Sequence, residues 1–202
     1  MNWLAPFYDV WCRAIGLGRR FRSKTIGLAS LREGEAVLEV GCGTGVLTRL
    51  AAEAVGPEGS AVGIDPAIRM IAVARKNAFE MGSRAMFRVA AIEDLPFADN
   101  SFDAAFASAM IHHLPPEVKL AGLREVYRVL KPGGRLVVAD LDRPGNPLWW
   151  LILWPAWFMH TVRGNLEGRL PQYLREAGYE PVTSCGQWGG VIGFWLAQKP
   201  LS

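Results

Sequence analysis

Apolar residues along the chain form short runs, separated by longer stretches in which they recur at helical spacing. The short runs predict buried strands at residues 36–40, 61–64, 86–90, 104–110 and 136–139. The helical spacing predicts helices at residues 46–55, 66–81 and 115–130. Because parallel neighbours need crossover connections, five strands alternating with helices predict a doubly wound, mostly parallel α/β sheet.

The first predicted strand runs directly into Gly41, Cys42, Gly43, Thr44 and Gly45. Glycines suit a turn that takes positive φ or lets a ligand approach without a Cβ, and the helix that follows offers N–H groups to polar ligand atoms. A dinucleotide fingerprint would place a third glycine where this chain has valine. The order strand, glycine turn, helix therefore predicts a small molecule across the turn.

An acidic residue, Asp65, ends the second predicted strand and is followed by Pro66. Its carboxylate can accept hydrogen bonds from two ribose hydroxyls. The same position also suits a cap for the next helix.

These features, together with EVGCGTG, GIDP, EDLPF, SFD and LKPGG, resemble the class I S-adenosylmethionine (SAM)-dependent methyltransferases over residues 36–142. The resemblance implies SAM as the cofactor and a Rossmann-like, seven-stranded sheet with an antiparallel C-terminal edge strand. The last two strands would then be residues 182–185 and 191–197.

The resemblance also implies cofactor contacts. Gly41, Cys42, Gly43 and Gly45 would line the methionine and ribose end of SAM, with Asp65 and Pro66 at the ribose. Relatives often carry an acidic residue at the end of the third strand to meet the adenine amino group. That position here is Ala91, so Glu93, Asp94 or the backbone of Ile92 would have to supply the contact.

The fourth predicted strand leads to Ser108, His112 and His113. Ligands of open α/β sheets lie beyond the carboxyl ends of the strands, so we expect Ser108 at the cofactor. A neutral imidazole can take a proton from a methyl acceptor, which makes His112 and His113 candidate catalytic residues. Adjacent residues face different ways, so at most one should point into the crevice. Similar methyltransferases carry His-His-Leu here with different substrates, so a structural role stays open.

Near the N-terminus, Trp3, Phe7, Trp11 and Ile15 recur every four residues and predict one face of a helix. This face could pack on the domain. It could also belong to an N-terminal helical lid, residues 1–30, as the resembling family often has; Tyr8 would then be a candidate catalytic residue.

Length and composition predict a single domain, residues 1–202, because half of the residues are apolar. The three cysteines are far apart and without metal-site spacing, so we predict reduced thiols, no metal and a cytoplasmic location. The net charge is +3, with five basic residues against one acidic residue in residues 1–24. Such a patch suits an anionic membrane or nucleic acid. No nucleic-acid motif accompanies it, so we predict no nucleic-acid partner.

Residues 148–159 lack any polar side chain except the indoles of Trp149, Trp150, Trp154 and Trp157. Twelve residues span about 18 Å as a helix, against roughly 30 Å of membrane hydrocarbon, so this segment cannot cross a bilayer. Residues 143–165 could form a core or dimer segment, a substrate cap or a membrane-interface insertion. Tryptophans favour the interface because their rings suit membrane–water boundaries.

The sequence therefore predicts a SAM-dependent methyltransferase acting on a hydrophobic or lipid-linked acceptor. The amine of phosphatidylethanolamine is the first expectation, and a carbon of a quinone precursor is the alternative. A noncatalytic SAM-binding, membrane-associated protein is an alternative of another class. The sequence gives no oligomeric state.

Overall fold

A computed structural model describes residues 16–201 of the chain. Tyr8 and the predicted helix over residues 3–15 lie outside the described residues. The strands are β1 Ala36–Val40, β2 Ser60–Asp65, β3 Met86–Val89, β4 Phe102–Ser108, β5 Leu130–Leu141, β6 Val182–Trp188 and β7 Ile192–Gln198. The α-helices are α1 Arg19–Ala29, α2 Val46–Ala54, α3 Ile68–Glu80, α4 Pro116–Val129, α5 Pro147–Leu153, α6 His160–Leu166 and α7 Leu170–Glu176. Two 3₁₀ turns cover Ile111–His113 and Trp154–Phe158.

The seven strands form one sheet in the order β3-β2-β1-β4-β5-β7-β6. Neighbours among β1 to β5 are parallel, whereas β7 is antiparallel to both β5 and β6. The predicted fold class is confirmed. The antiparallel strand is the C-terminal one, as expected, but β6 pairs with its outer side, so β7 itself is not the edge strand.

Helices cover both faces of the sheet. On one face Leu38 and Val40 of β1 pack in a core with side chains of α4 and α7. On the other face Val37 packs in a core with α2 and α3. Strands β1, β2 and β4 are largely buried on both faces, which explains why they read as mainly apolar runs.

The sequence predicts Ile68, Ile71 and Ala72 on the inward face of α3, and this prediction is partly wrong. Ile71 is buried, but Ile68 is 70% exposed and Ala72 is exposed too. The face that meets the core is instead carried by Met70, Ala74 and neighbours one turn apart. The helix begins two residues later than predicted, because Asp65 accepts a hydrogen bond from the Ala67 N–H just before the first turn.

The fifth strand is longer than predicted. The sequence predicts a helix over residues 115–130 and a strand over residues 136–139, but α4 ends at Val129 and β5 spans Leu130–Leu141. The pairing of β5 with β4 shifts register between Phe102 and Ala104. That irregularity lets the Pro-Gly-Gly stretch run within the strand.

Candidate active site

The glycine turn between β1 and α2 needs its glycines for two reasons. Gly41, Gly43 and Gly45 all have positive φ, between 53° and 75°. A Cβ on Gly41 would lie 2.7 Å from the Met110 side chain, and one on Gly45 would lie 2.4 Å from the Phe87 ring. Gly45 is therefore fixed by packing between α2 and β3, in addition to any cofactor contact.

Most amide groups of this turn are already used within the protein. The Cys42 N–H donates to the Ile64 carbonyl, and the Gly45 N–H donates to the Cys42 carbonyl. The Gly43 N–H donates to Oδ2 of Asp65 at 3.1 Å. The turn thus offers a ligand close backbone approach, and these three amides are not the free donors that the sequence suggested.

Asp65 joins the glycine turn to the next helix. Its Oδ2 accepts from Gly43 and its Oδ1 accepts from the Ala67 N–H at 2.8 Å. A carboxylate has about four acceptor positions, so two remain for ribose hydroxyls. The two roles predicted for this residue, helix capping and ribose binding, are therefore compatible.

The end of β3 lies beside Asp65, because the Ala90 N–H donates to the Asp65 carbonyl. The chain continues there through Ala91 to the exposed side chains of Glu93 and Asp94. The Ile92 side chain is buried in the core and packs against Gly122. Only the backbone of Ile92 can therefore reach a ligand. Pro66 is exposed at the same edge.

Glu39 was missed as a site residue. It is buried in β1 and accepts a hydrogen bond from the Thr48 hydroxyl. Burial raises the pKa of Glu39 to about 7, although the Thr48 hydrogen bonds and the Arg22 charge oppose that rise. A carboxylate inside an otherwise apolar strand was the signal that could have identified it.

A cavity of about 50 Å³ lies between the glycine turn and the start of α1. It is lined by Leu17, Phe21, Arg22, Glu39, Gly41, Cys42, Gly43, Thr44, Val46, Leu47, Ser108 and Ala109. The predicted contacts Gly41, Cys42, Gly43 and Ser108 are thus brought together. Cofactor pockets typically measure a few hundred Å³, so a cofactor must extend beyond this cavity, towards Asp65. Burial raises the pKa of the Cys42 thiol, which makes it a poor nucleophile.

Asp140, at the end of β5, holds the His112 turn in place. It is fully buried and accepts from the N–H groups of Met110, Ile111 and Leu141 at 2.6–2.9 Å. Its Oδ1 lies 2.5 Å from Nδ1 of His112. Burial alone would raise the pKa of Asp140, but the charge and hydrogen bonds of its partners outweigh this and the net pKa is lowered.

The Asp140 contact sets the roles of the two ring nitrogens of His112. An ionised carboxylate only accepts, so Nδ1 carries the proton and Nε2 is the nitrogen that can take another. The ring is mostly buried, with 15% of the side chain exposed. His112 therefore resembles the orientated base of a carboxylate–imidazole pair.

His113 stacks on His112, with ring centroids 3.9 Å apart, and has no such carboxylate contact. It is exposed at one side, yet desolvation of the ring, followed by the charge of His112, lowers its pKa. The stacked rings lie on the same side of the turn, so the expectation that adjacent residues face different ways is wrong here, and the Asp140 contact is what distinguishes the two side chains.

Lys119 of α4 connects this region to α6. It is buried, and its Nζ donates to the Thr161 carbonyl at 2.6 Å and to Oδ1 of Asn165. Burial lowers the pKa of Lys119 to about 8. Asn165 in turn donates to the Leu141 carbonyl at 2.9 Å. Helix α6 is thereby fixed beside the strand that carries Asp140.

The apolar segment that follows β5 forms α5 and the second 3₁₀ turn. Trp149 faces the protein: its Nε1 donates to the Gly189 carbonyl at 2.6 Å, in the β6–β7 turn. Trp150 and Trp157 are half-buried and contact each other, with ring centroids 5.5 Å apart. Trp154 is 59% exposed. Trp149 is therefore held against the β6–β7 turn, whereas Trp154 is open to solvent.

Across residues 16–201, no group of three or more His, Cys, Asp or Glu side chains is arranged to bind a metal ion. In the same part of the chain, every helix is too short or too polar to cross a membrane.

Comparison with known proteins identifies the family of this chain. A model described as "Methyltransferase domain" matches residues 37–134. The chain is 42% identical over 211 aligned positions to "Ubiquinone/menaquinone biosynthesis C-methyltransferase UbiE" of Ectopseudomonas mendocina (strain ymp), covering 92% of this chain and 80% of that protein. It is 36% identical to "Demethylmenaquinone methyltransferase" of Listeria monocytogenes serotype 4a (strain HCC23), covering 72% of this chain and 62% of that one.

Solved structures agree on the fold. A SAM-dependent methyltransferase from Aquifex aeolicus superposes with a TM-score of 0.69 at 23% identity, covering 88% of each chain.

Proposed function

The chain belongs to the SAM-dependent methyltransferases, and we propose that it transfers the methyl group to a ring carbon of a reduced quinone precursor. The observation that carries this proposal is the 42% identity, over 92% of the chain, to a protein whose name states quinone C-methylation. The His112–Asp140 pair near the strand ends provides the base that such a reaction needs. The comparisons support this alternative better than the phosphatidylethanolamine amine that the sequence favoured.

The described residues suit SAM. The cofactor supplies an electrophilic methyl group on a positively charged sulfur. Buried Glu39 and partly buried Asp65 place negative charge near the glycine turn, and Asp65 has acceptor positions left for ribose hydroxyls. The Ala91 backbone and its neighbours lie where adenine would follow the ribose.

The protein's part in the transfer is to position the acceptor and remove one proton. A reduced quinone ring is electron-rich, and SAM, when bound, would supply its methyl group to a carbon of that ring and leave as S-adenosylhomocysteine. The ring carbon then loses its hydrogen as a proton. Nε2 of His112 takes that proton, while Asp140 stabilises the imidazolium that results. S-adenosylhomocysteine and the methylated quinol are the products, so the atoms balance without a metal or an oxidant.

Labelled-methyl transfer tests this proposal. The protein is incubated with methyl-labelled SAM and a membrane lipid extract kept reduced, and the quinone and phospholipid fractions are separated. We expect label in a quinone whose mass rises by one methyl group. Label in phosphatidylethanolamine products alone would refute carbon methylation and restore the amine acceptor.

His112→Gln separates the catalytic role from a structural one. Loss of the base should lower kcat by about 10²–10⁴, the range typical of general-base catalysis, with little change in SAM binding. Equal loss of SAM affinity would instead show that His112 shapes the cofactor site.

A further inference from the structure

Several large apolar side chains are exposed together on the segment that follows β5. We call this surface the outer face and define it as Leu148, Leu151, Ile152, Trp154, Phe158 and Met159, all of them more than half exposed. Leu148, Leu151 and Ile152 lie at helical spacing on one side of α5. Trp154 and Phe158 continue the surface, with their rings in edge contact 6.0 Å apart. Monomeric soluble proteins rarely expose apolar patches of this extent without a partner.

The opposite side of the same segment is firmly attached. Trp149 and Leu153 pack against the cluster that contains Phe21 and Phe194. The Asn146 side chain caps α5, and the Gly145 N–H donates to the Gly190 carbonyl at 2.8 Å. The outer face therefore lies on a segment whose opposite side is fixed to the protein.

Positive charge is concentrated in two segments, the one that carries the outer face and the one that contains the start of α1. Residues 16–24 carry four basic and no acidic side chains, and residues 143–169 carry three arginines against one glutamate. These two segments hold a net charge of +6, whereas the rest of the chain has −3. They meet in the fold, because Trp188 donates to the Gly16 carbonyl, contacts Phe21 and packs in the same cluster as Trp149.

The outer face also lies close to the catalytic turn. Helix α6 follows it directly, contacts the turn that carries His112, and is held by Lys119. A lipid-linked acceptor that leaves a bilayer at the outer face would thus have one short helix to pass before it reaches His112.

We propose that the outer face docks on an anionic lipid bilayer, with α5 lying in the plane of the interface. The apolar side chains enter the acyl boundary while the basic segments meet the negatively charged headgroups. An amphipathic segment with tryptophan on its apolar side and cations beside it fits this occupant better than a neutral protein surface. The proposal concerns where the enzyme works, and it stands independently of which acceptor is methylated.

Co-sedimentation with vesicles tests the proposal. Wild-type protein is mixed with vesicles of phosphatidylcholine and phosphatidylglycerol, or of phosphatidylcholine alone. We expect binding to the anionic vesicles that falls with salt but does not vanish, because the apolar contribution resists screening. Leu151→Ser with Trp154→Ser should weaken partition at least tenfold at every salt concentration.

Two further double variants complete the vesicle experiment: one measures the electrostatic contribution to binding, and the other is a control. Arg19→Gln with Arg20→Gln should weaken binding at low salt only, by about fivefold per charge before screening. Phe79→Ser with Met81→Ser is the matched control: those residues are 88% and 70% exposed but lie on α3 and just after it, and should leave binding unchanged.

Three results would overturn the proposal. The first is wild-type protein that stays in the supernatant with anionic vesicles at low salt. The second is equal loss of binding in the control variant. The third is a wild-type dimer that the Leu151→Ser, Trp154→Ser variant converts to a monomer without any effect on vesicles, which would assign the outer face to a second copy of the chain.

Discussion

The candidate active site, at the carboxyl ends of the strands, and the outer face differ in opposite ways from the usual pattern of buried apolar and exposed polar side chains. The site contains buried acids, Glu39 and Asp140, whereas the outer face contains exposed apolar side chains such as Leu151 and Phe158. The buried acids are satisfied by partners inside the chain. The outer face has no internal partner among the described residues that could cover it. Buried acids that have hydrogen-bond partners within the protein indicate a preorganised site. Exposed apolar side chains that nothing in the described protein covers indicate a surface that binds something outside the protein.

The largest expected effect is at Asp140. Asp140→Ala leaves three backbone N–H groups and His112 without their acceptor, which should lower the free energy of unfolding by ~3–5 kcal/mol. Urea denaturation measures this. Asp99→Ala, which removes an exposed acid paired with Arg128, should change stability by no more than ~1 kcal/mol. Similar losses in both variants would mean that the buried network does not preorganise the site.

The next effect concerns cofactor affinity. Asp65→Ala should weaken SAM binding by ~1.5–3 kcal/mol, roughly ten- to a hundredfold, because hydrogen bonds from ribose hydroxyls to a charged acceptor are lost. Isothermal titration calorimetry on the folded variant gives the dissociation constant, with Asp99→Ala as the charge-matched control. An unchanged dissociation constant would remove Asp65 from the cofactor site.

The two sides of the apolar segment should respond differently to truncation. Trp149→Ala removes inward packing and the bond to Gly189, and should destabilise the protein by ~1–3 kcal/mol. Trp154→Ala should stay within ~0.5 kcal/mol, as for other exposed positions. Thermal unfolding of both variants compares them directly. A large loss in Trp154→Ala would show that its side chain is buried in solution.

The smallest effect is a pH dependence at Glu39. Its pKa of about 7 means that the carboxyl is largely neutral at pH 6 and ionised at pH 8, so SAM, which is positively charged, should bind about fivefold more tightly at the higher pH. For stability the sign is opposite: the folded state holds the proton between pH 4.5 and 7, so the free energy of unfolding falls as pH rises through that window. Glu39→Gln should abolish both dependences. A variant with the wild-type pH profile would assign the titration to another group.

The sequence predicted the central strands well because β1, β2 and β4 are largely buried on both faces and carry few polar side chains. The glycine turn was predicted because its φ angles and the Phe87 contact admit no side chain. The sequence did not predict which face of α3 packs on the core. Ile68 is apolar yet exposed, and no local feature of the sequence indicates that exposure.

Long-range contacts account for what the sequence did not reveal. The role of His112 depends on the carboxylate of Asp140, 28 residues later in the chain. The orientation of Trp149 depends on a carbonyl 40 residues later, at Gly189. In a segment without polar side chains, periodicity cannot tell the inward side from the outward side.

Methyl transfer to two forms of one acceptor tests the division between site and outer face most directly. Rates are measured for wild type and for Leu151→Ser with Trp154→Ser, using a short-chain soluble quinol and a long-chain quinol in anionic vesicles. We predict equal rates on the soluble quinol and at least a tenfold loss by the variant on the vesicle-borne quinol. Equal losses on both acceptors, or no loss on either, would contradict the account.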